Sequence, residues 1–183
     1  MQHREGLLEI VEFGPLTLRQ LGQLAAGEVA PFGKANQELE FRLKNHHVGI
    51  VDETGTLIAT GGWDIVSLEV EGYGAFDVFG SGALIVRRDC RRKGIGSRKG
   101  IGSLLIKRLT ACAEEHELPA LAFLCGDDLV DMYQRFGFCL VDAPVWVDQH
   151  AGPVLYPGWM MWGLLDPDFT WPVGAVRVLG LPF

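Results

Sequence analysis

Residues 92–103 read Arg-Lys-Gly-Ile-Gly-Ser-Arg-Lys-Gly-Ile-Gly-Ser, one six-residue unit written twice without a break. Before it stands the apolar run Ala83-Leu84-Ile85-Val86, and after it a leucine-bearing stretch that begins at Leu104. Glycine leaves backbone N–H groups unshielded, and a helix that starts at such a loop aims the positive end of its dipole at whatever anion sits there. The charge distribution agrees. From Arg87 to Arg108 there are nine basic residues and one acid, while the rest of the chain carries seven basic residues and 22 acids. The basic stripe calls for an anion. The acidic remainder repels a nucleic-acid backbone, excluding it as the main partner, and suits a second ligand of positive charge.

At 183 residues, 48% hydrophobic and 21% charged, the chain has enough apolar material for one substantial core and reads as a single domain over 1–183. No apolar run is long enough to span a membrane, and the start Met1-Gln2-His3-Arg4-Glu5-Gly6 lacks the layout of a secretion signal, so a cytoplasmic protein without a membrane partner is expected. Cys90, Cys112, Cys125 and Cys139 are spaced too widely for a metal-ligand pair. His46 and His47 are neighbours whose side chains diverge, so no metal is expected.

Outward from the repeat, the pattern predicts alternating elements. Leu7 to Phe13 reads as a strand, Leu16 to Ala26 as a helix, and Ala35 to His46 as a second, more polar surface helix. Val48 to Val51 and Leu57 to Trp63 flank a turn at 52–56 as a hairpin, with the second strand extending toward Val70. Ala75 to Val86 reads as a strand whose fully apolar end suits the centre of a sheet. After the repeat come a helical stripe through Leu105, Leu109 and Ala113, a strand over Leu118 to Cys125, and a helix through Met132, Tyr133 and Phe136 that Asp127 or Asp128 is placed to cap. Residues 138 to 165 return to strand patterning, and the tail from Asp166 to Phe183, rich in Pro, Gly and aromatics, reads as extended and packed. The fold class is α/β: one mixed sheet flanked by helices.

Two nucleotide-binding motifs fail at the repeat. A Walker loop needs Gly-Lys followed by Ser or Thr, but both lysines precede their glycines, as Lys93-Gly94 and Lys99-Gly100. A dinucleotide fingerprint needs a third glycine three residues on, where Lys99 or Leu105 stands instead. A third pattern fits: Arg91-Arg92-Lys93-Gly94-Ile95-Gly96 opening a helix, followed by a strand and a helix that ends Tyr133-Gln134-Arg135-Phe136-Gly137-Phe138. With the element order, these residues resemble the GNAT (GCN5-related N-acetyltransferase) superfamily over most of the chain.

That resemblance implies a GNAT-like mixed sheet, acetyl-CoA as cofactor, and transfer of its acetyl group to a primary amine. The loops Arg91, Arg92, Lys93, Gly94, Gly96, Arg98, Lys99, Gly100, Ile101, Gly102 and Ser103 would meet the phosphates, and Leu84, Ile85 and Val86 the pantetheine arm. A backbone N–H near Val86 would polarise the thioester, Tyr133 would protonate the leaving thiolate, and Asp77, with Asp64, Glu38 and Glu40 as alternatives, would take the proton of the amine. Seven acids against two basic residues after Cys125, and four of the five tryptophans in the last 40 residues, suit a small cationic amine. Trp63, Asp64, Glu38, Asp142 and Trp146 are the expected substrate contacts. More loosely the chain resembles aminoglycoside 2′-N-acetyltransferases of the kasugamycin type, which implies an antibiotic acceptor; polyamines, amino acids, a protein N-terminus or a non-catalytic acyl-CoA-binding role stay open, and a homodimer is compatible with the reading. Two copies of the loop cannot both start the helix. Six residues turn a helix by about 240°, so a start at the first copy would carry the leucine stripe off the core, and the second copy is expected to form the phosphate-holding turn.

Overall fold

A computed structural model of the protein describes residues 8–25, 38–91, 94–95 and 99–183, with the backbone alone at 94, 95 and 99. In chain order the elements are β1 (Glu9–Phe13), α1 (Leu18–Ala25), β2 (His46–Val51), β3 (Leu57–Val70), β4 (Gly74–Val86), the two-residue strands β5 (Gly94–Ile95) and β6 (Lys99–Gly100), α2 (Ile101–Glu114) and β7 (Ala120–Cys125). There follow α3 (Val130–Arg135), β8 (Cys139–Leu140), β9 (Val145–Gln149), β10 (Gly152–Leu155), β11 (Trp159–Leu164) and β12 (Val176–Val178). One sheet runs β10-β9-β12-β3-β4-β7-β11-β8, with β2 on β3 and β1 on β2. No helix among the described residues is long and apolar enough to cross a membrane.

Local chemistry accounts for the central hairpins. Between β2 and β3 the Asp52 carboxylate accepts bonds from the N–H of Thr54 and Thr56, at 2.9 and 3.1 Å, and Gly55 takes the left-handed conformation the turn requires, φ 74°. β3 alternates buried and half-open positions from Gly62 to Val70 and lies antiparallel to β4 along nearly its whole length. Val66, Leu68, Val78 and Phe79 are fully enclosed in the core. α2 covers one sheet face through Leu105, Leu109, Cys112 and Ala113; a Cβ on Gly61 would fall 2.5 Å from Leu109 Cδ1, so the glycine admits the helix.

Two expectations need correction. The polar helix over 35–46 does not form: 35–37 lie outside the described residues, 38–45 are irregular and His46 opens β2. Backbone groups that a helix would use internally are taken by distant partners. Glu40 N–H donates to Gln149 Oε1 (2.8 Å), Glu40 O accepts from Gln149 Nε2 (3.1 Å), and Arg42 N–H donates to Pro182 O (2.8 Å). Nor do Asp127 and Asp128 cap the helix after β7. They form a 3₁₀ turn, Asp127–Leu129, behind Gly126, with no side-chain cap bond there or on α3. The tail is extended and packed, as expected: β12 pairs with β3 and β9, and Trp171 stacks on Trp162 at 5.1 Å beside Phe169.

Candidate active site

β4 and β7 are parallel neighbours only at Phe79–Leu121, Gly80–Ala122 and Ser81–Phe123. Beyond Ser81 the strands part. β4 runs on to Val86 held by β3 alone, and its register shifts: Thr60 faces Ile85 and Gly62 faces Gly82, so Ala83 and Leu84 together oppose Gly61. This β-bulge places Ala83 at φ 52°, a left-handed conformation that costs a non-glycine residue about 1–2 kcal/mol. Because Arg87 N–H donates to Ile58 O, alternation along the strand turns the backbone groups of Val86 away from β3 and into the gap.

A cavity of about 1110 Å³ fills the wedge. Its open end is formed by Val86, Cys90, Arg91 and the start of α2 at Gly100 to Ser103. α2 begins at the second copy of the repeat: Gly100 is its N-cap (φ −69°, ψ 163°), no side chain caps it, and its first turn holds no acid. A Cβ on Gly100 would meet nothing within 4 Å. The first-turn amides of a 14-residue helix therefore face the cavity mouth without a side-chain acceptor, an arrangement suited to an anion. From the first copy, Gly94 and Ile95 pair back on Gly100 and Lys99.

At the wedge's other side, Tyr133 of α3 lines the cavity, 6% exposed, its ring against Phe123 (4.4 Å between centroids) and Phe138 (6.1 Å). Burial, and secondarily Cys125, pushes its hydroxyl well above the usual tyrosine range, so it stays protonated at any working pH. Burial likewise raises the Cys125 thiol to about 11, with Asp128 and Asp127 adding to it; a thiol so held is a poor nucleophile. Among the described residues Asp127 and Asp128 are the carboxylates that line the cavity, and Asp127 accepts the Trp159 indole N–H at 2.6 Å.

Of the cofactor contacts expected from sequence, Leu84, Ile85, Val86, Arg91, Gly100, Ile101, Gly102 and Ser103 meet around this cavity. Arg91 Nε donates to Val86 O at 2.8 Å. Gly94 and Lys99 lie in the small β5–β6 hairpin, and Arg92, Lys93, Gly96 and Arg98 fall outside the described residues. The expected base and substrate contacts stand elsewhere. Asp77 is exposed, opposite Ser67, and accepts that hydroxyl at 2.5 Å; nine residues of strand, about 30 Å, separate it from Val86. Asp64 is buried on Asn45, and Trp63 is packed between His46 and Phe79 at 4.2 and 4.7 Å. Glu38 and Asp142 are exposed away from the cavity, and Trp146, on β9, borders a separate shallow depression with Tyr73. Among the described residues no three His, Cys, Asp or Glu side chains converge as a metal site.

A further wall carries no mark in the sequence. Phe41, Arg42, Lys44 and Phe183 close the cavity beside Ser81 and Gly82. Arg42 donates to Leu181 O and Leu179 O, at 2.8 and 3.1 Å, which fastens the chain's last residues there. Lys44 is 6% exposed, and burial lowers its ammonium from 10.5 to about 8; Asp64 raises it and Arg42 lowers it further. Only the three-dimensional fold brings 41–44 to β4, so no periodicity in the sequence could mark them.

A family model described as an acetyltransferase (GNAT) domain matches residues 20–141. No curated relative matches the sequence. Among solved structures, the Escherichia coli GNAT-family N-acetyltransferase YhbS in complex with CoA is similar at 18% identity, covering 99% of each chain with a TM-score of 0.59. A Lactobacillus plantarum N-acetyltransferase (13% identity, 87% of this chain and 99% of that one, TM-score 0.54) and Escherichia coli ElaA (14%, 85% and 99%, 0.53) share the fold.

Proposed function

The chain belongs to the GNAT family of acetyltransferases, and on that premise we propose that the wedge between β4 and β7 binds acetyl-CoA and transfers its acetyl group to a primary amine. The observation that carries this reading is the cavity itself, which runs from the uncapped start of α2 to the point where the two strands separate. Acetyl-CoA supplies an activated thioester. The amides of Gly100 to Ser103 and the side chain of Arg91 would hold its pyrophosphate, and Leu84 to Val86 its pantetheine arm. The Val86 N–H, turned into the gap, would polarise the thioester carbonyl. Tyr133 keeps its proton and so is equipped to donate it to the leaving thiolate.

Removal of the amine's proton passes to the carboxylates that line the cavity, Asp127 and Asp128, rather than to Asp77. Direct attack suits the site better than an acyl-cysteine, since the Cys125 thiol is held neutral. The expected substrate contacts Trp63, Asp64, Glu38, Asp142 and Trp146 do not line the cavity, so its walls do not support the aminoglycoside acceptor that the looser resemblance implied. Incubation with acetyl-CoA and a panel of primary amines, read as release of free thiol, tests the proposal. Binding of acetyl-CoA with no release above hydrolysis for any amine would refute transfer.

A further inference from the structure

We propose that the acceptor amine of this site also carries a carboxylate, and that Lys44 receives it; the inference rests on the acetyl-transfer reading above. Lys44 lies against Gly82, its Cε 3.3 Å from where a Cβ on that glycine would stand, and lines the cavity with 6% of its surface exposed. Its one hydrogen bond among the described residues runs to Arg42 O at 3.4 Å, the long limit for such a contact, and no described carboxylate lies within 4 Å of Nζ. Asp64 influences it from further off, but its oxygens are engaged by the backbone and side-chain N–H groups of Asn45. His47, also near, is held toward its neutral form by burial. An ammonium so enclosed, with no described carboxylate in contact, is costly, and a ligand that brings one recovers the loss.

The cofactor's phosphates are the wrong anion for it. Gly82 and Val86 are four strand residues apart, about 13 Å, so Lys44 sits at the closed end of the wedge while the α2 amides sit at the open end. It also lies over the sheet face opposite α2, since Gly62 and Gly82 turn toward Lys44 whereas Gly61 turns toward Leu109. The sheet thus stands between Lys44 and the α2 amides, which leaves Lys44 to the second reactant. Phe41 and Phe183 line the cavity beside Lys44 as apolar walls, which favours a single charge over the double charge of a phosphate ester.

The test uses matched acceptors: α-, β- and γ-amino acids, each beside its own carboxamide, assayed by thiol release with wild type, Lys44→Met and Lys44→Arg. For the best-fitting pair, wild type is expected to favour the acid by about tenfold or more in kcat/KM. Lys44→Met should raise KM for the acid about tenfold or more relative to its own carboxamide, so that the preference disappears, and Lys44→Arg should keep part of it. Equal kcat/KM for every acid and its carboxamide in wild type overturns the proposal. So does a Lys44→Met variant that lowers kcat for both alike, which would assign Lys44 to the thioester. Absence of release from every amine, charged or neutral, refutes transfer itself and this inference with it.

Discussion

Lys44→Met should stabilise the protein, and by an amount that depends on pH. In the folded state burial lowers the ammonium from 10.5 to about 8. That shift of roughly 2.5 units corresponds to about 3 kcal/mol at 1.36 kcal/mol per unit. Between those values the native state binds fewer protons than the unfolded chain, so wild-type stability rises as pH passes from 8 toward 10.5, and below pH 8 the full penalty is present. Methionine keeps the unbranched stem that packs over Gly62, where a Cβ would stand 2.5 Å from Lys44 Cγ, and discards the charge. The 3.4 Å bond to Arg42 O is lost, at under about 1 kcal/mol. The variant should therefore exceed wild type by about 2–3 kcal/mol at pH 7, with the gain falling to within about 1 kcal/mol of zero at pH 10. Urea denaturation of both proteins at the two pH values measures it, and effects of other titrating groups cancel in the difference. A gain of equal size at pH 7 and pH 10, or a loss at pH 7, would show that the Lys44 ammonium is not buried at a cost.

Three further outcomes follow from the same geometry. Tyr133→Phe should lower kcat about 100-fold with KM for acetyl-CoA little changed, checked by steady-state thiol release, because it removes the donor and keeps the ring on Phe123. Ala83→Gly should be neutral to about 1 kcal/mol stabilising in thermal melts, since relief at φ 52° offsets the unfolded-chain entropy of glycine, whereas Ala83→Val should destabilise by more than about 1 kcal/mol. Deleting residues 92–97 joins Arg91 to Arg98-Lys99-Gly100; folding and acetyl-CoA affinity by calorimetry should persist, and abolished affinity in a folded deletion protein would show that the first copy takes part in the site.

Much of the cofactor side could be read along the chain because its residues are neighbours in sequence. Ala83 to Val86 is an apolar strand end, and the repeat supplies the glycines that leave the α2 start uncapped. The pair Gly61-Gly62 marks a bulge or close backbone approach in the sequence, and both occur there, whereas no residue type announces that Ala83 opposite adopts φ 52°. The acceptor side misled the reading for physical reasons. Asp77 shares a strand with Val86, but a strand turns sequence separation directly into distance, and it stands near the far end of β4. Trp162 and Trp171 look like a binding wall in a list of aromatics and are instead a stacked pair over Phe169, part of the packing of the tail. Lys44 came to its position through bonds from Glu40 to Gln149 and from Arg42 to Pro182, contacts between segments more than a hundred residues apart.

The doubled loop shows where a chain absorbs six extra residues. A helix started at the first copy would reach Leu105, Leu109 and Ala113 rotated by about 240°, and those three are now buried with at most 3% of their surface exposed. Losing even one buried leucine from the core costs about 2–5 kcal/mol. Kept outside the helix, the same residues lengthen the connection from Val86 to Ile101 and cost only loop-closure entropy, about 0.5 kcal/mol for a loop not quite doubled. The pairing of Gly94 with Gly100 and of Ile95 with Lys99 folds part of the surplus back on itself, ahead of the helix start. Burial of the leucine stripe thus selects which set of glycine amides faces the cavity, and the proposed anion site is set by the core on the far side of its own helix.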